Sequence, residues 1–183
     1  MPTYIALLRG VNVGAHNRMK MDQLRQSLEG LGFVEVRTYI QSGNVVFKNA
    51  RHSPSDLSQR IEQRIFRDFG LSVPVISRTA EELGKAIQNN PFLRERGIDL
   101  SKLHVTFLSE APAQSSLKKL DTLAAGRDQF RYCGKEIYLY CPDGLARTKL
   151  FGNASDRALA VSATTTRNWK TVNTLYAMSL GHS

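Results

Sequence analysis

Apolar positions along the chain alternate between two periods, and the changes mark the elements. Residues 3–9 form a short apolar run that predicts a strand. From Met21 the spacing lengthens: Leu24, Leu28 and Leu31 share one face of a helix, with Gly32 as its stop. Residues 34–40 alternate as a strand, 41–43 (Gln-Ser-Gly) supply turn chemistry, and 44–48 return as the other arm of a hairpin. Pro54 fits the first turn of the next helix, where Leu57, Ile61, Ile65 and Phe69 recur every four residues until Gly70. Residues 72–77 predict a short strand, and Pro74, having no N–H for a ladder, assigns it to a sheet edge. Thr79 and Glu82 have the spacing of a capping box and open a trailing helix that Pro91 stops.

The second half repeats this order. Residues 103–108 read as a strand, and a helix begins near Pro112 with Leu117, Leu120 and Leu123 inward and Gly126 as its stop. A hairpin of 129–133 and 136–141 turns at Gly134-Lys135. A helix with a weak apolar face is expected over 148–159, a last strand over 161–165, and a final helix capped by Asn168. Arg78-Thr79 and Arg167-Asn168 introduce the two trailing helices alike. Each half is therefore βαββαβ, the ferredoxin-like unit, plus a helix. The expected fold is α+β, with two ferredoxin-like subdomains in tandem at 1–90 and 102–183, each followed by an extra helix, and 91–101 as linker.

Composition narrows the class without naming a chemistry. The chain has 183 residues, 42% hydrophobic, enough for a sizeable core and unlike a disordered, collagenous or coiled-coil protein. No stretch approaches the roughly 20 apolar residues of a membrane helix. The opening apolar run lacks the basic flank of a signal peptide, so the expected location is the cytoplasm and no membrane partner is expected. Cys133 and Cys141 suit a reducing compartment; the hairpin register holds them about 17 Å apart, too far for a disulfide. Twenty-five Lys and Arg against 16 Asp and Glu give a net charge of +9. That excess suits a polyanionic partner such as nucleic acid, or a phosphate-bearing small molecule, although the cations are spread from Arg9 to Lys170 without a block.

Three runs carry a family resemblance: 4–14 (Tyr-Ile-Ala-Leu-Leu-Arg-Gly-Val-Asn-Val-Gly), 37–47 (Arg-Thr-Tyr-Ile-Gln-Ser-Gly-Asn-Val-Val-Phe) and 165–173 (Thr-Thr-Arg-Asn-Trp-Lys-Thr-Val-Asn). Through them nearly the whole chain resembles the bacterial family named domain of unknown function 1697. The resemblance implies two ferredoxin-like subdomains and no established activity. Ala15 stands where that family often has a second glycine, which weakens a glycine-dependent ligand loop, and Thr148 stands where a serine is expected.

Two features converge on one candidate site. The loop 10–20 contains Gly10, Asn12, Gly14, His16, Asn17, Arg18 and Lys20 and leads into a helix, an arrangement that suits a phosphate. Its glycines match no nucleotide-binding motif, so a plain turn with a solvated basic flank is the competing reading. In a ferredoxin-like sheet the first and third strands are antiparallel neighbours. Arg9 should therefore meet Asn44, gathering Arg9, Asn12, Gln41, Ser42 and Asn44 at one edge. The competing reading makes 42–44 hairpin chemistry and Asn12 a tie for the loop.

Other features are weaker. The second hairpin should present Phe130, Tyr132, Ile137, Leu139 and Cys141 to a core, and Gln129, Arg131, Cys133, Tyr138 and Tyr140 to the opposite face. The matching face in the first half is expected to hold Tyr4, Arg37, Tyr39 and Lys48. Aromatic faces with arginines stack RNA bases in some modules; here they are read rather as covered by each other or by the linker. Arg147-Thr-Lys149, at an expected helix start, would suit an anion. His104 is expected on an outer or lateral strand face. The four histidines show no metal-binding spacing, no cofactor is indicated, and Ser42 lacks a nucleophile frame. The expected function is binding of an anionic ligand, nucleic acid or nucleotide, through Arg9, Gly10, Asn12, Gly14, Lys20, Gln41, Ser42 and Asn44. Two alternatives stay open: an enzyme acting on a small phosphorylated or carboxylated metabolite, with Ser42 or His16 reacting, and a protein-interaction module.

Overall fold

The computed structural model describes residues 1–50 and 52–183. Its first half runs β1 (Thr3–Leu8), α1 (Met21–Glu29), β2 (Val34–Tyr39), β3 (Asn44–Lys48), α2 (Pro54–Phe69), β4 (Val75–Thr79) and α3 (Ala80–Gln88). Its second half runs β5 (Leu103–Leu108), α4 (Gln114–Asp121), β6 (Gln129–Cys133), β7 (Glu136–Tyr140), α5 (Asn153–Leu159), β8 (Thr164–Asn168) and α6 (Trp169–Ser179). Each half builds one antiparallel four-stranded sheet, ordered β2-β3-β1-β4 and β6-β7-β5-β8. The chain is thus an α+β protein of two ferredoxin-like subdomains in tandem, each followed by an extra helix. By compactness it divides into 1–84 with 174–183, and 85–173. Within the first of these units Arg37 on β2 holds the Met178 carbonyl at 2.5 Å.

In the first unit Tyr4, Ala6, Leu8, Val45 and Phe47 face Leu24 and Leu28 of α1 and Leu57, Ile61 and Ile65 of α2. Each of the Leu, Ile, Val and Phe side chains among them stabilises the fold by roughly 1.5–3 kcal/mol when removed from water. Tyr4 is a correction: it pairs with Phe47 across the ladder, so both point to the helices, and its hydroxyl donates to the His52 carbonyl at 2.9 Å. The ends of α2 follow the sequence signals, with Ser53 accepting from the Asp56 amide at 3.1 Å and Gly70 left-handed at φ 68°. The capping box of α3 closes through Thr79 N to Glu82 at 2.8 Å and Glu82 N to Thr79 at 3.0 Å.

In the second unit Leu108, Ile137, Leu139 and Cys141 pack under Leu117, Leu120 and Leu159. The hairpin has the expected register, Cys133 opposite Glu136 and Gln129 opposite Tyr140. Its other face is covered except at Cys133. Tyr138 is fully buried and donates to the Ala86 carbonyl at 2.6 Å. The Arg131 guanidinium lies 4.9 Å over the Phe92 ring and reaches Glu95 at 2.9 Å. Segment 91–101 holds two short 3-10 turns, Pro91–Arg94 and Leu100–Lys102, and Phe92 is wholly buried. Cys133 is exposed and Cys141 buried, both free.

Three expected boundaries move. β4 starts at Val75, just beyond Pro74, and β8 occupies 164–168 instead of 161–165, because the β1 and β5 ladders begin there. The helix expected over 148–159 survives only as α5, since Gly152, at φ 101°, breaks the chain immediately before it. Among the described residues no helix is long and apolar enough to cross a membrane, and no group of His, Cys, Asp and Glu is arranged to hold a metal.

Candidate functional site

The edge anticipated from topology is formed by three strand ends. Leu7 pairs with Asn44, the Leu8 amide donates to Gly43 O at 2.9 Å, and the Arg9 amide to Pro74 O at 2.9 Å. The chain then leaves the sheet as a loop pinned by two buried side chains, Val11 and Met19. Between these anchors the polar side chains hold the loop to itself. Asn12 Nδ2 donates to Met19 O at 2.9 Å and Gln41 O at 2.7 Å, while its Oδ1 accepts from Met19 N at 2.8 Å. Asn17 O accepts from the Asn12 amide at 3.1 Å, and Asn17 Nδ2 donates to Gly10 O at 3.2 Å. One asparagine thus clasps the loop to the β2–β3 turn.

The backbone at this edge is concentrated in the left-handed region. Gly10 (φ 70°), Asn12 (56°), Gly14 (58°), Asn17 (46°), Ile40 (50°) and Gly43 (84°) all lie there. Asparagine tolerates this conformation; a β-branched residue such as Ile40 does so only under strain imposed by its surroundings. At Gly43 a side chain is excluded by space as well, since a Cβ would lie 2.8 Å from Leu8 Cβ and 3.3 Å from Val11 Cβ.

The predicted residues divide into two groups. Asn12, Ser42 and Asn44 are engaged internally: Asn44 is fully buried, and its Nδ2 donates to Tyr39 O at 3.0 Å and Ser42 Oγ at 3.1 Å. Gly10, Gly14, Lys20 and Gln41 are exposed, Arg9 is half-buried, and His16 and Arg18 are exposed beside them. Lys20 precedes α1 without capping it by a side chain. The outcome is a rigid polar frame carrying a cationic rim. Sequence reading placed Asn17 in the loop but missed Ile40 as part of this frame; a β-branched residue placed directly before Gln-Ser-Gly was the available signal.

The remaining candidates disperse. Arg147 ends a 3-10 turn and Lys149 lies in the loop after it, so neither stands at a helix start. Asn168 caps α6 by accepting from the Thr171 amide at 2.8 Å, and Trp169 is packed. His104 shares the helix-side face with its ladder partner Leu139, not the outer face; its Nδ1 is buried and burial pushes its pKa down.

Two antiparallel β2-β3-β1-β4-type sheets under helices, in one α+β chain, define the class of protein. The chain belongs to the family described as protein of unknown function (DUF1697), whose model matches residues 1–138. It is also similar in structure to the conserved bacterial protein SP0830 from Streptococcus pneumoniae. That similarity has a TM-score of 0.74 and 25% identity and covers 97% of this chain and 98% of the other. No curated protein matches the chain.

Proposed function

We propose that the protein binds an anionic ligand, nucleic acid or a nucleotide, through the loop edge of its first unit, and that it works in the cytoplasm. The observation that carries this reading is the Asn12 clasp. It keeps a solvated loop in a strained shape while Arg18, Lys20, His16 and the backbone of Gly14 stay exposed. Strain of this kind persists where a fixed surface is useful, and prearranged donors lower the ordering cost of binding. The 9–20 segment contains no carboxylate to oppose an anion. The test is fluorescence anisotropy with labelled single-stranded RNA, single-stranded DNA and duplex DNA at low and physiological salt. Micromolar binding that weakens with salt is expected, and Arg18→Ala with Lys20→Ala should reduce it about tenfold. Absent or salt-insensitive binding overturns the reading.

A second reading has one observation in its favour. Val13 and Ile40 are 62% and 50% exposed at the same edge, which suits a protein partner with an apolar contact. Light scattering of wild type and Val13→Ser would report a concentration-dependent oligomer if the partner were a second copy.

A further inference from the structure

We infer that the concavity between α2 and the turn that follows α1 binds a phosphate dianion, free or as the terminal group of a monoester. Arg60, Arg64 and Arg67 line one concavity of about 280 Å3, with Gln63 and Leu31 completing its wall. Their spacing along α2 places the three guanidinium groups on one helix face.

The arginines are held, not merely near. The Asp68 carboxylate accepts from Arg64 Nε at 2.6 Å and from Arg67 Nε at 3.1 Å, and Ser27 Oγ donates to it at 2.6 Å. Both arginines are fixed through Nε, and among the described residues their Nη groups have no hydrogen-bond partner. Arg60 donates to Leu31 O at 3.3 Å and lies 5.7 Å over the Phe33 ring, which sets the third guanidinium against the same wall. Gly30 makes the space: a Cβ there would come within 2.6 Å of Arg64 Nη2.

Charge selects the ligand. Three guanidinium groups against one carboxylate leave a surplus of two positive charges on the concavity. Asp68 stays ionised throughout the neutral range, because Ser27 and Arg64 hold its carboxyl at about 2. Forks that converge on one concavity suit a single dianion with three equivalent oxygens, since guanidinium and phosphate match in geometry. A strand of monoanionic diesters would instead be tracked by cations strung along a path. No residue is shared with the Arg9–Asn44 edge, so this site stands whether or not that edge binds a ligand.

The experiment is calorimetric titration of the full chain at pH 7.5 with inorganic phosphate and, in a second arm, glycerol 3-phosphate, each against chloride of equal ionic strength. Saturable binding of phosphate is expected; tighter binding of the ester would identify a monoester as the source, and equal binding the free ion. Arg67→Gln, at an exposed side chain, and Gly30→Ala, at helical φ −65°, should both fold normally and weaken binding about fivefold or more. Lys118→Gln, at an exposed position of α4, should leave it unchanged. A response no larger than that to chloride overturns the proposal. So does binding that Arg67→Gln leaves intact or that Lys118→Gln abolishes.

Discussion

The β1–α1 and β5–α4 connections occupy the same place in two copies of one sheet, yet they differ in nearly everything but their roots. The roots match closely. Leu8 N to Gly43 O is 2.9 Å and Leu108 N to Lys135 O is 2.9 Å; Arg9 N to Pro74 O is 2.9 Å and Ser109 N to Ala163 O is 3.0 Å. Beyond them, 9–20 is long, glycine-bearing and cationic, whereas 109–113 is short and contains one carboxylate, Glu110. Glu110 accepts from Ser109 and from the Ser162 amide and hydroxyl, and these bonds hold its carboxyl below the usual range. The second copy closes this end with local hydrogen bonds; the first keeps it open behind a clasp. The fold is common to both copies, so any function of this edge belongs to the inserted loop and not to the ferredoxin-like frame.

The turn glycines sharpen the comparison most. Gly43→Ala should cost about 3 kcal/mol, since the new methyl meets Leu8 and Val11 and the backbone is left-handed. Gly134→Ala, in the equivalent turn of the second half, meets nothing within 4 Å and should cost only about 1 kcal/mol, the left-handed penalty alone. Urea denaturation of the two variants measures the difference, and equal losses would deny the first edge its special packing. Asn12→Ala comes next, at about 2 kcal/mol, through three lost side-chain hydrogen bonds and a left-handed alanine. Amide exchange should accelerate at Met19, whose N–H the Asn12 side chain accepts.

The smallest effect is in acid. Folding lowers the Asp68 pKa from 3.8 to about 2, so the first unit has stability that is complete above about pH 5 and is lost progressively as the pH falls towards 2. Asp68→Asn should flatten that limb of a pH–melting curve. An unchanged limb would place the acid sensitivity in other carboxylates, Glu110 of the second half among them.

Sequence reading reached furthest where one period dominates. Leu57, Ile61 and Ile65, bounded by Pro54 and Gly70, leave α2 no alternative, and Gly134-Lys135 sets the hairpin register by parity alone. It shifted at β4 and β8 because Val73 and Val161 are as apolar as strand residues, while the ladder begins only where β1 and β5 offer partners. Tyr4 was assigned to the wrong face because an apolar run has no alternation to read. That the end of β1 lies beside the start of β3 followed from strand order, although Leu7 and not Arg9 stands opposite Asn44. What Asn12 does with its amide depends on where the Met19 and Gln41 carbonyls come to rest, and no local pattern records that.

The grouping of 174–183 with residues 1–84 bears on the order of synthesis. During translation the first sheet leaves the ribosome early, but Met178, which receives Arg37, and Tyr176, against which Gly84 packs, are made only after all of 85–173. A nascent chain stalled near residue 110 would thus present β2 with Arg37 still lacking its Met178 acceptor. The first unit emerges first and is finished last.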